Sequence, residues 1–162
     1  MNAARAQRLA VRLHRGGVDQ LDQVMLIMER AFNPCFGEAW TRSQCAGILP
    51  MAGVTLTIAE DDRGPIGFSL ARAVADEAEL LLIAVDPASQ GNGAGRCLLD
   101  HFIASARDAG AHKLHLEMRD GNRAGSLYRS AGFAPAGRRR GYYKGPDGEH
   151  HDAITLMLTS SN

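Results

Sequence analysis

A glycine-rich segment in the middle of the chain has the composition of an anion-binding loop. It spans residues 90–96, beginning with Gln90 and ending with Arg96, and it separates an apolar strand pattern from an amphipathic helix pattern. Glycines let successive backbone N–H groups point toward one centre, and a helix N-terminus adds partial positive charge. The segment is therefore suited to bind a phosphate or pyrophosphate, although three glycines can also form a simple strand-to-helix turn.

Two common phosphate-binding motifs do not match this segment. In the Walker motif, G-x-x-x-x-G-K-[ST], a Lys and a Ser or Thr follow the last glycine, whereas Arg96 and Cys97 follow Gly95. The dinucleotide motif, G-x-G-x-x-G/A, requires a small residue at its sixth position, which is Arg96 when counted from Gly91. A Q-x-x-G-x-G motif followed by Arg remains.

Glu117 and Tyr128 are candidate acid–base residues on the elements that follow. Residues 113–118 alternate between polar and apolar types, so Glu117 shares the polar face of a strand with Lys113 and His115. A carboxylate there could act as a general base, but the pattern is also typical of a solvated strand face. Tyr128 lies on the apolar stripe of the next helix, so it is equally a half-buried core tyrosine by pattern alone.

Hydrophobic periodicity predicts the elements that position these residues. The predicted order is β-α-α-β-β-β-α-β-α-β-β, with strands at residues 8–13, 54–60, 66–74, 79–85, 113–118, 133–143 and 152–158. Helices are predicted at residues 18–32, after a capping box at 41–44, from 98 to a stop at Gly110, and around 124–131. The continuous apolar run near 79–85 indicates a central strand, and the order indicates one mixed-sheet α/β domain over 1–162.

Composition limits the functional class. The 162 residues are 45% hydrophobic and 22% charged, and 18 basic residues balance 18 acidic ones. Without a net basic surface, no direct electrostatic grip on nucleic acid is expected. Three cysteines with no C-x-x-C pair argue against a disulfide framework or a zinc site, and they favour a reducing compartment. We expect a cytoplasmic, metal-free protein that is a monomer or weak dimer.

No membrane segment is expected either. The longest uninterrupted apolar run, residues 80–85, has six residues, whereas a membrane helix needs about 20. The apolar pieces near the N-terminus are broken by Arg, unlike the continuous apolar core of a signal peptide.

Several short motifs follow one another over residues 76–158. They are Asp76-Glu77-Ala78, Ile83-Ala84-Val85-Asp86-Pro87, the Q-x-x-G-x-G loop, Leu116-Glu117-Met118-Arg119, Leu127-Tyr128 with Gly132-Phe133, Arg139-Arg140-Gly141-Tyr142-Tyr143 and Asp152-Ala153-Ile154. This ordered set resembles the GNAT acetyltransferases and, more narrowly, the RimI-type ribosomal-protein alanine N-acetyltransferases. The N-terminal half is similar mainly at Trp40-Thr41, where the second helix opens.

The resemblance implies an α/β (α+β) GNAT fold, with a mixed, mostly antiparallel sheet of about seven strands and about four helices. The sheet would be splayed between residues 79–86 and 112–118, and acetyl-CoA would be the acyl donor. Backbone groups of Ile83, Ala84 and Val85 would bind the pantetheine arm, with the Val85 N–H facing the thioester oxygen. The pyrophosphate would be held by the loop residues Gln90, Gly91, Asn92, Gly93, Ala94, Gly95 and Arg96.

The resemblance also implies catalytic roles. Glu117 would be the general base and Tyr128 the acid that protonates the CoA sulfur. Asn122 would contact the cofactor, but it stands one residue closer to Tyr128 than is usual in the family. Either the side chain is rotated by roughly 100° about the helix axis, or the loop absorbs the missing residue and the contact is kept. The residues expected to border the acceptor, unless they form a solvated strand edge, are Tyr142, Tyr143 and Arg140.

Acidity favours an α-amine as the acceptor. An α-amine titrates near 7.7–8.0 and a lysine amine near 10.4, so freeing the lysine costs roughly 3.5 kcal/mol more at neutral pH. The resemblance narrows the acceptor to a protein N-terminus, the N-terminal alanine of a small-subunit ribosomal protein. Alternatives are a small-molecule amine acetyltransferase, a non-catalytic acyl-CoA sensor and a mononucleotide-binding protein.

Overall fold

The computed structural model describes residues 10–160. Within that range the chain forms seven strands and four α-helices in the predicted order. The strands are β1 (Arg12–Gly16), β2 (Val54–Asp61), β3 (Gly64–Val74), β4 (Glu77–Val85), β5 (Lys113–Arg119), β6 (Ala134–Lys144) and β7 (His150–Thr159). The helices are α1 (Leu21–Ala31), α2 (Arg42–Ile48), α3 (Ala94–Asp108) and α4 (Gly125–Ser130). Short 3-10 turns cover Val18–Gln20, Pro34–Phe36 and Pro87–Ser89.

The strands form one sheet in the order β1-β2-β3-β4-β5-β7-β6. In the part of the chain that the structure describes, β4 and β5 are the only parallel pair, and the other neighbours are antiparallel. A parallel pair needs a crossover connection, which α3 provides. The prediction of a mixed, mostly antiparallel sheet with a central fourth strand is confirmed.

The helices cover the two faces of the sheet. Helices α1 and α2 pack on one face, where Met28 and Cys45 join a buried cluster with Phe68 of β3. Helices α3 and α4 pack on the other, where Phe102 and Tyr128 join a second cluster. Within residues 10–160, no helix is both long and apolar enough to cross a membrane.

A β-bulge at Leu81 changes the direction of side chains along β4. Leu70 of β3 pairs with Leu82, and the next residue of β3 pairs with Leu80, so Leu81 is the extra residue. Before the bulge, Leu80 faces the α3 layer; after it, Leu82 faces the α1 layer, and Leu81 packs on that same side. Two consecutive residues on one face are the mark of a bulge.

The parallel pairing of β4 with β5 stops at the same place. It runs from Glu77 opposite Lys113 to Leu80 opposite Leu116, and beyond that point the two strands separate. The splay implied by the family resemblance therefore begins at the bulge. It leaves the C-terminal halves of both strands without each other's backbone hydrogen bonds.

The N-terminal elements differ from the sequence prediction. The first strand was expected at residues 8–13 but runs over Arg12–Gly16, while residues 8 and 9 lie outside the described part. An edge strand with exposed side chains carries little periodicity, so its apolar pattern does not locate it. The helix expected at 18–32 opens with a 3-10 turn and becomes α-helical only at Leu21.

Candidate active site

The separation of β4 and β5 opens a cleft of about 1170 Å³. Its floor is formed by the ends of the two strands, and one end is bordered by the glycine-rich loop. The other end is bordered by the segment between α1 and α2 and by the β6–β7 hairpin. The lining includes most of the predicted site residues, namely Ile83, Ala84, Val85, Gln90, Gly91, Gly93, Ala94, Gly95, Arg96, Glu117, Asn122, Tyr128, Tyr142 and Tyr143. Asn92 and Arg140 are exposed and lie outside this lining.

The backbone of β4 presents polar groups to the cleft. The N–H of Asp86 donates to the Ile66 carbonyl of β3 at 2.7 Å. Because backbone groups of successive strand residues point to opposite sides, those of Val85 and Ile83 point away from β3. They face the splay, where β5 no longer pairs with them. The Val85 carbonyl accepts a hydrogen bond from the Gln90 side chain, so the Val85 N–H and the backbone of Ile83 are the groups placed to bind an extended polar ligand.

The glycine-rich loop has backbone conformations that favour glycine. Gly91 and Gly93 have φ values of 82° and 84°, in the left-handed region, and Gly93 is the N-cap of α3. A Cβ at either position would meet no atom within 4 Å, so the requirement comes from the backbone and not from packing. Together they turn the chain so that the first N–H groups of α3 border the cleft. This arrangement suits a pyrophosphate.

Side chains outside the cleft hold this loop in place. The Asp86 carboxylate accepts hydrogen bonds from the Ala88 N–H and from Arg30 of α1, both at 3.0 Å. Arg63, in the β2–β3 turn, donates to the Ser89 hydroxyl at 3.4 Å and is itself held by Asp61. The loop is thereby connected to both α1 and the β2–β3 hairpin.

Two loop residues predicted to bind the cofactor direct their side chains elsewhere. Gln90 donates from its side-chain amide to the Val85 carbonyl at 3.2 Å. The Arg96 guanidinium donates to Asp100 and to Ser130, and it thereby links α3 to α4. Their backbone groups, not their side chains, are the ones placed to meet a ligand in the loop.

Glu117 lies on β5 immediately beyond the last residue that pairs with β4. Its side chain is 15% exposed, and its Oε1 lies 2.8 Å from the Nε of Arg139 on β6. A partly buried carboxylate that borders the cleft can accept a proton from a bound amine directly or through water.

Tyr128 lies on α4 with its ring buried and edge-on to Phe133, 6.4 Å between centroids. Burial raises the pKa of the Tyr128 phenol well above its usual range, and the negative charge of Glu38 adds to the shift. The phenol is therefore protonated throughout the neutral range and has a proton to donate.

Glu38 is a cleft residue that the sequence patterns do not single out. Its Oε1 accepts a hydrogen bond from the Nε of Arg119 at 2.9 Å, and its Oε2 accepts one from Asn122 at 3.1 Å. The Glu38 and Arg119 side chains are only 10% and 14% exposed. A single acidic residue in an irregular loop has no periodicity, so only the folded chain reveals this pairing.

Both polar groups of the Asn122 side chain form hydrogen bonds within the protein. Its side-chain amide donates to Glu38, and its Oδ1 accepts from the Ala124 N–H at 2.9 Å, in the turn that leads into α4. The side chain therefore joins the α1–α2 segment to α4. The expected contact to the cofactor stays a prediction.

Aromatic residues border the end of the cleft beside the β6–β7 hairpin. Tyr142 is half exposed and stands edge-on to Tyr143, with 5.1 Å between ring centroids. Burial, and then the charges of Glu38 and Glu117, raise the pKa of Tyr143 above its usual range. From the α1–α2 segment, Phe36 lies under the Arg119 guanidinium at 3.7 Å. Of the consecutive arginines, Arg139 contacts Glu117, and the role of Arg140 beside the acceptor stays a prediction.

No cluster of three or more His, Cys, Asp or Glu side chains that could hold a metal ion occurs within residues 10–160.

Comparisons with known proteins place this arrangement in a family. Residues 52–135 match the family model described as an acetyltransferase (GNAT) domain. A [ribosomal protein bS18]-alanine N-acetyltransferase from Salmonella typhimurium is 43% identical over 123 residues, which are 75% of this chain and 82% of the relative. The protein of the same name from Escherichia coli K12 is 45% identical over 95 residues, 58% of this chain and 64% of the relative.

The fold agrees with the same assignment. The crystal structure of the ribosomal-protein-S18-alanine N-acetyltransferase from Escherichia coli superposes with a TM-score of 0.82 and 32% identity, covering 94% of this chain and 96% of the other. Ard1 from Thermoplasma volcanium has a TM-score of 0.81 at 21% identity, covering 95% of this chain and all of the other, and shares the fold. The chain therefore belongs to the GNAT family of acetyltransferases.

Proposed function

We propose that this chain transfers the acetyl group of acetyl-CoA to a protein N-terminal α-amine. The proposed acceptor is the N-terminal alanine of a small-subunit ribosomal protein in the cytoplasm. The observation that carries the proposal is that one cleft combines the outward-facing backbone of β4, the Glu117 carboxylate and the Tyr128 phenol. The relatives named bS18-alanine N-acetyltransferases support the acceptor.

The cleft fits acetyl-CoA in its size and in the chemistry of its lining. Ligand pockets are typically about 300–1,000 Å³, and the volume of about 1170 Å³ suits a long ligand. The glycine loop and the N-terminus of α3 would hold the pyrophosphate, while the backbone of Ile83 and Val85 would hold the pantetheine arm. Binding through backbone groups needs no strongly basic pocket, consistent with a formal net charge of zero.

Acetyl transfer needs a free amine, a stabilised oxyanion and a protonated leaving thiolate. Glu117 would accept the proton of the acceptor ammonium, so that the amine can attack the thioester carbonyl. The Val85 N–H points into the splay and would donate to the oxygen that gains negative charge. As the bond to sulfur breaks, Tyr128 would donate first a hydrogen bond and then its proton to the thiolate.

Burial raises the pKa of the Tyr128 phenol, so the group stays protonated at neutral pH. It can therefore donate a hydrogen bond to the sulfur from the start of the reaction, before the bond to sulfur breaks.

A peptide assay tests this proposal. The protein is mixed with acetyl-CoA and a peptide that begins with Ala and contains one internal Lys, and fragmentation mass spectrometry locates the added acetyl group. We expect acetylation of the α-amine. Acetylation of Lys alone would overturn the acceptor, and bound acetyl-CoA without any peptide product would favour a small-molecule acceptor or a sensor.

The Glu117→Gln variant tests the base in the same assay. We expect kcat to fall by about 10²-fold or more, the usual range for a general base, with the KM for acetyl-CoA nearly unchanged. Glu29→Gln, on the exposed face of α1, is the matched control. Unchanged turnover by Glu117→Gln would remove Glu117 as the base while leaving the acceptor assignment intact.

A further inference from the structure

The guanidinium of Arg139 crosses one strand to reach Glu117. Glu117 is opposite Thr155 of β7, and Arg139 is opposite Ala153 of the same strand, so the ion pair spans β7. The Arg139 Nε lies 2.8 Å from the Glu117 Oε1. Ala153 pairs with Arg139 on one side and Arg119 on the other, and its small side chain leaves room for the crossing.

An irregularity in β6 immediately after Arg139 sets the position of this residue on the strand. The pairing of β6 with β7 is interrupted between Arg139 and Tyr143, and Gly141 within this stretch has a φ of 61°. The Asp152 carboxylate of β7 holds the irregular stretch, because its Oδ1 accepts from the Gly141 N–H at 2.9 Å and its Oδ2 accepts from Arg138 at 2.7 Å. As a result, Arg138 pairs with Asp152 while Arg139 pairs with Glu117.

A second contact steadies the Arg139 side chain. Its guanidinium carbon lies 5.4 Å from the centroid of the Tyr142 ring, within cation–π distance. Arg139 is 62% exposed, while Glu117 is 15% exposed. The arginine therefore covers the carboxylate from the solvent side and leaves its other oxygen for the cleft.

We propose that Arg139 is a positioning residue for the acetyl-transfer reaction, which it serves by fixing the orientation of the Glu117 carboxylate. An arginine has only donors and stays protonated in proteins, so it cannot take the ammonium proton itself. By binding Oε1 it directs Oε2 toward the acceptor amine or toward a bridging water. This inference rests on the proposed function of Glu117 as the base.

The first test compares Arg139→Gln with Arg139→Lys in steady-state assays of thiol release, with acetyl-CoA and an Ala-starting peptide. A carboxylate that loses its orientation should lower kcat by about tenfold to a hundredfold, with the KM for acetyl-CoA unchanged. The lysine variant keeps the charge but not the planar fork, so we expect partial recovery. Arg15→Gln, an exposed arginine on β1 at the other edge of the sheet, is the matched control.

A double-mutant cycle separates positioning from other roles. If Arg139 acts through Glu117, the substitution Arg139→Gln should lower kcat no further when Glu117→Gln is already present. An equal loss in both backgrounds would overturn the proposal, and so would a raised peptide KM with kcat unchanged, which indicates direct acceptor binding. Full activity of Glu117→Gln alone would instead contradict the proposed base.

Chemical rescue gives a readout that a purely structural role does not move. Ethylguanidinium added to the Arg139→Ala variant should restore part of kcat by occupying the vacated site beside Glu117. It should not affect Arg15→Ala or the Glu117→Gln variant. Absence of rescue in a variant that melts at the same temperature as the unchanged protein would count against the proposal.

Discussion

Glu38 and Arg119 form an ion pair between residues 81 positions apart in sequence, with 2.9 Å between Oε1 and Nε. Arg119 is the last residue of β5, and Glu38 belongs to the irregular segment between α1 and α2. Their contact attaches a segment without regular structure to the strand that carries Glu117. The position of this wall of the cleft therefore depends on this pair.

Replacing Glu38 by Gln should loosen that attachment. The amide keeps the shape of the side chain but leaves the mostly buried Arg119 guanidinium without its counter-charge, at a cost of about 1–3 kcal/mol. We expect a lower Tm and a several-fold higher KM for the peptide acceptor, with the KM for acetyl-CoA little changed. Thermal melts and initial rates measure both, and Glu29→Gln is the control. A normal peptide KM with a lower Tm would restrict Glu38 to a structural role.

Replacing Tyr128 by Phe removes the donor and retains the ring. Because the ring packs against Phe133, the variant should keep its Tm within a few degrees. We expect kcat to fall by roughly 10²-fold or more, since no phenol remains to protonate the leaving sulfur. Single-turnover measurements of thiol release isolate this step. A rate equal to that of the unchanged protein would reduce Tyr128 to a packing residue.

Gly93→Ala should impair acetyl-CoA binding specifically. The φ of 84° costs an alanine about 1–2 kcal/mol, although its Cβ would meet no neighbour. Gly110→Ala is a strain-matched control, because Gly110 has a φ of 92° and the same open space but lies beyond the far end of α3. We expect similar losses of Tm in both variants and a raised KM for acetyl-CoA only in Gly93→Ala. Equal KM values would show that the loop does not contribute to binding.

The Asp61 carboxyl makes the free energy of unfolding depend on pH in the acid range. Hydrogen bonds from the Arg63 side chain and backbone hold the pKa of this carboxyl below its usual value, which is about 3.9 when unfolded. A carboxyl with a lower folded pKa contributes stability that is fully present above the unfolded pKa. That contribution is lost as the pH falls through the folded value.

The Asp61→Asn variant should therefore be less stable than the unchanged protein at pH 7, and the difference should shrink as the pH approaches 3. Urea unfolding between pH 3 and 7 measures it. Asp62→Asn is a close control, because the Asp62 side chain is 71% exposed and that of Asp61 is 2% exposed. The same pH dependence in both variants would contradict a role for the buried carboxylate.

Local sequence patterns predict most of the fold. Periods of two and 3.6 residues locate the elements because one side of each element is buried. The capping box is found as expected, with the Thr41 hydroxyl accepting from the Gln44 N–H and the Gln44 side chain accepting from the Thr41 N–H. The Leu81 bulge leaves no such local signal. Residues 80–82 are all leucine, so the sequence shows no change in the alternation of apolar and polar residues there.

The site is only partly predictable for a related reason. Motif order places the glycine loop, Glu117 and Tyr128 because they lie on or beside regular elements. Glu38 comes from an irregular segment, and its partners lie far away in sequence. Among three consecutive arginines, nothing local distinguishes Arg139 from Arg140, because the irregularity at Gly141 decides which one points toward Glu117.

The bulge at Leu81 lets β4 separate from its neighbour without a loss of core. Before the bulge, Leu80 packs against the α3 layer. After it, Leu82 and Ala84 pack against the α1 layer and Val85 against the α3 layer. A strand that simply bent away would withdraw side chains from one layer. Here a single added residue changes the face on which the following side chains lie. Both layers therefore stay packed, while an unpaired strand edge opens inside the sheet. Deleting Leu81 would place Leu82 directly after Leu80, so the regular pairing with β3 would return and the later side chains of β4 would keep their layers.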